Sequence, residues 1–175
     1  MTWSFRHAAL AAAFCMSCAA APPAAPPAPV ELAAGGLRTL PAKPGAAHLL
    51  AFGTPKSATI AALTRALGRP PGKSGANAEC GGGPQTFVTW EGALTLWFSE
   101  EEGFVGWESR GKLATAQGIA IGAPRAALRA LKGVEVAQTS LGTEFTAGEL
   151  DGLLSSKARD AKVRALWSGS TCVFR

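Results

Sequence analysis

The sequence predicts an α+β protein made of two repeats, each a helix followed by a three-stranded antiparallel sheet, with the helices on one face. Three observations predict it. A Gly-x-Pro start occurs twice, at Gly53-Thr54-Pro55 and Gly122-Ala123-Pro124, each ahead of a run with helical apolar spacing. The runs stop on glycine, at Gly68 and Gly133, and Arg65-Ala66-Leu67 and Arg129-Ala130-Leu131 hold the same place in each. Three short segments rich in aromatic and branched residues then follow each run.

Residues 1–20 read as an export signal. Arg6 supplies the basic start, 8–16 form a nine-residue apolar run, and small residues follow to Ala21. That run is short of the roughly 20 residues a membrane span needs. Cys18, preceded by Ser17, suits the lipid-accepting cysteine of a bacterial lipoprotein, although Cys15 stands where leucine is usual. Ordinary cleavage near Ala19–Ala21 is the other reading, and both stay open. Residues 21–49 are a spacer and lead-in, opening with a Pro/Ala tract that favours an extended polyproline II chain.

The first repeat is expected over 50–110. Pro55 suits a helix start because it has no N–H to leave unpaired, and Ile60, Leu63 and Leu67 share one face. Strands are expected at 86–90, 94–98 and 104–107, separated by Gly92 and the 100–103 turn. The second repeat, over 111–175, should place Ala127, Leu128 and Leu131 inward, then strands at 143–146, 150–154 and 163–167. A last strand is expected over 169–174.

This order resembles the tandem fold of the β-lactamase inhibitory proteins, also seen singly in small outer-membrane assembly lipoproteins of the SmpA/OmlA type. The resemblance covers about residues 50–168 and rests on element order, the Gly-x-Pro helix start and the Leu67-Gly68 helix end. The cysteines depart from the inhibitor pattern, because one bridge here would join the two copies. No contact residue of an inhibitor carries over.

Composition narrows the chemistry. Apolar residues make up 47% and charged residues 17%, which is enough to build a core and argues against global disorder. The net charge is +5, but the basic residues are scattered and form no run, so no nucleic-acid partner is expected. His48 is the only histidine after the leader, which leaves a Ser-His-Asp or metal-ligand set without partners. Gly81-Gly82-Gly83 lacks the Gly-Lys-Ser/Thr ending of a phosphate loop, and Gly72-Lys73-Ser74 lacks its upstream glycine. Glu100-Glu101-Glu102 reads as a solvated hairpin tip. No catalytic residue, metal or cofactor is expected.

Two cysteines remain after the leader, Cys80 and Cys172, and export predicts a disulfide between them. Pairing Phe98 with Phe104 across the acidic turn would put Thr95, Trp97, Val105 and Trp107 on one sheet face, opposite Leu94, Leu96 and Phe98. Helices can cover only one side of an antiparallel sheet, so the Thr/Trp set is either an open partner-binding surface for protein or glycan or a set of rings packed between the two repeats. The function expected is an exported non-catalytic domain that binds another exported or envelope protein, in its sharpest form as an inhibitor of an extracytoplasmic enzyme. The alternative is an envelope assembly or scaffolding lipoprotein, with a small secreted hydrolase behind both. The expected location is periplasmic, outer-membrane through a lipid on Cys18, or secreted.

Overall fold

Two four-stranded antiparallel meanders meet edge to edge and form one eight-stranded sheet. The computed structural model describes residues 1, 30–41 and 45–172. The expected export signal with Cys18, and the Pro/Ala tract to residue 29, lie outside the described residues, as does the end of the strand expected over 169–174. The first meander comprises β4 (Lys73–Asn77), β5 (Gln85–Trp90), β6 (Leu94–Ser99) and β7 (Gly103–Ser109). The second comprises β9 (Val134–Thr139), β10 (Gly142–Ala147), β11 (Leu150–Leu154) and β12 (Val163–Gly169). The sheet order is β4-β5-β6-β7-β12-β11-β10-β9.

A second sheet comes from the segment expected to be a lead-in. β1 (Val30–Ala33), β2 (Gly36–Thr39) and β3 (His48–Ala51) pair antiparallel, and β8 (Ala114–Thr115) joins β1 in parallel. Leu32, Leu37 and Leu50 of this small sheet are buried in the same core as Leu96, Phe98, Phe104 and Leu166 of the large one. Burying each such leucine contributes about 1.5–3 kcal/mol, so the lead-in is a layer of the fold rather than a spacer.

The helix α1 (Lys56–Leu67) starts after Pro55 and ends on Gly68, which adopts a left-handed φ of 67° that suits a residue without a Cβ. Its buried stripe is Thr59, Leu63 and Ala66, with Ile60 and Leu67 at the margin. The entry to α1 is tied to β7 by Gly53 N–H donating to Phe104 O at 2.8 Å and Phe104 N–H donating to Thr54 O at 2.9 Å. Phe52 meets the edge of Phe104 with centroids 5.1 Å apart.

The expected class, α+β with two helix-plus-three-strand repeats, does not hold: the chain is mostly β. Each meander has four strands instead of three, because β4 and β9 were not legible as strands. Lys73–Asn77 has no branched residue, and Val134–Thr139 lies right behind Gly133 where the helical run was closing. The second expected helix is a 3-10 turn over Arg125–Ala130, with Ala127 N–H donating to Pro124 O and Leu131 N–H to Leu128 O. Between Pro124 and Gly133 there is room for barely two turns, too few for an α-helix to offset its nucleation cost. The four-stranded small sheet has no counterpart in the expected plan.

Glycine shapes the sheet where its layers touch. A Cβ on Gly152 would collide with the Phe145 ring and lie 2.9 Å from Ala165 O, so Phe145 packs over β11 only because that position is bare. Gly152→Ala is therefore expected to cost about 1–3 kcal/mol, as overpacking does. The check is the urea midpoint; an unchanged midpoint would show that Phe145 can move aside freely.

Candidate functional site

The two faces of the eight-stranded sheet have different fates. One face carries Val88, Trp90, Leu94, Leu96, Phe98, Phe104, Trp107, Phe145, Leu150, Leu154, Val163 and Leu166, all in one buried cluster with α1, the 3-10 turn and the small sheet. On the opposite face the Cys80–Cys172 disulfide packs with Trp97 and Val105 at one end, and Trp167, Ala165 and Glu144 are buried further along. The bridge expected from the sequence is present, with Cα atoms 4.9 Å apart.

Register decides which residues share this outer face. Phe98 does pair with Phe104, but a β-bulge follows, so that Trp97 pairs with Gly106, Leu96 with Trp107 and Thr95 with Glu108. One extra residue in β7 reverses the parity of everything beyond it. Trp107 thereby turns to the core face, where it is fully buried and its Nε1–H donates to Ala33 O at 2.9 Å. The expected set is split: Thr95, Trp97 and Val105 lie on the outer side, and Trp107 does not.

Trp97 is not an exposed indole either. It is 8% exposed and packs with Val105, Phe87 and the two bridged cysteines. Its ring is tilted against Phe87 with centroids 5.4 Å apart. The Trp97 Nε1–H and the Gln85 Oε1 are buried polar atoms without a hydrogen-bond partner among the described residues. The Gln85 Nε2 donates to Ser170 Oγ at 2.7 Å.

Following the pairings across the sheet gives one transverse row on the outer face. It runs Lys73, Thr89, Thr95, Glu108, Trp167, Asp151, Thr146, Glu135, one residue from each of the eight strands. The Thr89 and Thr95 hydroxyls share a hydrogen bond of 3.0 Å. Arg110 approaches Glu108 at 3.5 Å. Trp167, 5% exposed, lies at the middle of the row outside the main core. Sequence reasoning placed Trp167 in a strand but not on this face. Its face depends on pairing β12 with β7 and on a second bulge, at Leu153/Leu154, neither visible locally.

The other residues weighed from the sequence stand apart from this row. Glu100, Glu101 and Glu102 form the exposed β6–β7 turn, where Ser99 Oγ accepts from the Glu101 and Glu102 N–H groups at 3.3 Å each. They border a cavity of about 610 Å³ between that turn, the start of α1 and the β4–β5 connection. Lys56 Nζ, on its wall, donates to Thr86 Oγ1 at 2.8 Å and stands 5.4 Å from the Phe98 ring centre. His48 is exposed on the edge strand β3. Gly83 N–H donates to Cys80 O at 2.9 Å, so the triple glycine is a turn entering β5. Among the described residues no three His, Cys, Asp or Glu side chains are gathered as metal ligands. No helix of the described residues is long and apolar enough to cross a membrane.

The outer face is thus a polar, hydroxyl- and carboxylate-bearing surface with two indoles set into it. Such a surface can form hydrogen bonds and ion pairs over a wide area, as a protein interface does. No protein-family model and no curated protein matches the chain. Among solved structures it is similar to the uncharacterized protein yfeY from Escherichia coli, at 12% identity and a TM-score of 0.43, over 55% of this chain and 80% of that one.

Proposed function

We propose that the chain is an exported, non-catalytic protein-binding domain that engages another exported or envelope protein through the outer face of its eight-stranded sheet. The observation that supports this reading is the contrast between the two faces. Helix α1, the 3-10 turn and the small sheet all pack on the apolar face, whereas the outer row from Lys73 to Glu135 is polar apart from the buried Trp167 and is exposed at both ends. The Cys80–Cys172 bridge supports export, because such bonds persist in oxidising compartments. Inhibition of an extracytoplasmic enzyme is the sharpest form of the reading. The envelope-lipoprotein alternative rests on Cys18 and the Pro/Ala tract.

Thr95 is the residue to test, since it is half-buried in the row and its hydroxyl hydrogen-bonds to Thr89 on the same face. Thr95→Arg places a long charged side chain where a partner would lie. The expected result is loss of about tenfold or more in capture of the envelope partner, with the thermal midpoint within a few degrees of wild type. Capture at wild-type level by a folded Thr95→Arg protein would remove this face from the function.

A further inference from the structure

β9 closes the eight-stranded sheet and has no neighbour on its far side among the described residues. All six of its residues pair with β10 in unbroken register, so alternate N–H and C=O groups project from a straight, open edge. Sheet edges are ordinarily blunted by charged residues, lysine above all, by proline or by a bulge. The opposite edge, β4, begins with Lys73, whereas β9 reads Val-Glu-Val-Ala-Gln-Thr, with no lysine, proline or bulge and its one charge, Glu135, on the outer face. Val136 lies opposite Phe145, hence on the core face, yet it is 38% exposed. Its neighbour Val134 packs against the core. The apolar face of the sheet therefore continues past the last element that covers it.

We propose that β9 pairs antiparallel with β9 of a second copy of this chain, joining two eight-stranded sheets into one across a two-fold axis. An axis normal to the sheet keeps each face on its own side, so residues of like parity must oppose one another. Centred on Val136, the pairing sets Val136 against its own copy, Val134 against Gln138 and Glu135 against Ala137. The single charge of the strand then meets no like charge, and each Val136 covers the other. A polar extended peptide would pair with the same edge but bring no apolar residue to that spot. Edge-to-edge antiparallel joining is already how the two meanders meet at β7 and β12. This contact uses the edge of the sheet, so it stands or falls independently of the outer face.

The test is cross-linking and sedimentation of the full chain. Opposed residues in a hydrogen-bonded antiparallel pair have Cα atoms about 5.5 Å apart, within disulfide reach. Val136→Cys should form a covalent dimer under mild oxidation at least about tenfold faster than Leu49→Cys. Leu49 is a control because its side chain is also exposed, at 50%, but lies on β3. Wild-type protein should sediment as a dimer at micromolar concentration. Val136→Lys, which opposes two like charges, should weaken association about tenfold or more while near-ultraviolet circular dichroism stays native. If Val136→Lys fails to fold, the cysteine pair decides. Equal cross-linking rates at the two positions, or a wild-type monomer that binds extended peptides without self-association, would overturn the proposal.

Discussion

Replacing Trp107 with alanine is expected to lower stability by about 3–5 kcal/mol, the cost of emptying a large aromatic site in a core. In a chain of this size that corresponds to a fall of roughly 10 °C in thermal midpoint. Trp107 is fully buried, pairs with Leu96 across the bulge, and donates its Nε1–H to Ala33 O at 2.9 Å. It therefore ties the large sheet to the small one. The partial replacement Trp107→Phe removes that donor from the part-buried Ala33 carbonyl, which adds about 0.5–1.5 kcal/mol to the packing loss. Trp97→Phe is expected to cost distinctly less, because the Trp97 Nε1–H has no partner among the described residues. Urea unfolding followed by far-ultraviolet circular dichroism compares the two without relying on indole fluorescence. Equal losses for the two phenylalanine variants would mean that the Ala33 hydrogen bond contributes nothing.

The second large effect is expected from the disulfide. Cys80 and Cys172 are 92 residues apart, and closing a loop of that length in the unfolded chain stabilises the native state by about 4–5 kcal/mol in the chain-entropy model. The bridge also packs with Trp97 and Val105, so its loss would open that end of the outer face. The double variant Cys80→Ser, Cys172→Ser should show a matching drop in unfolding free energy. Reducing the wild-type protein should give a similar value. A loss below about 1 kcal/mol in both would show that the folded layers hold these ends together without the covalent link.

Much of the chain was legible residue by residue. The stop of α1 at Gly68, and β5, β6, β10, β11 and β12, follow from glycine, proline and side-chain alternation within a dozen positions. The elements that were misjudged are those whose own sequences are weak. Lys73–Asn77 holds no branched residue and is a strand because β5 offers it a ladder. Arg125–Ala130 has helical spacing but too few residues to exploit it. The segment around Val30–Ala33 and Gly36–Thr39 reads as a lead-in, and becomes a sheet because Trp107 and the core leucines give it a surface to cover.

The sequence by itself determined the local breaks, the strand-forming segments, the acidic turn and the pairing of Cys80 with Cys172. Each depends on neighbours in the chain or on residue type and number alone. Only the tertiary structure decided which face each tryptophan occupies. Side chains alternate along a strand, so a single extra residue at the β7 bulge carried Trp107 from the expected surface into the core. The position of Trp167 depended on β12 meeting β7, a pairing of residues roughly sixty positions apart in the chain. Contacts at that separation are set by what remains to be buried once the local elements exist, and no local pattern encodes them.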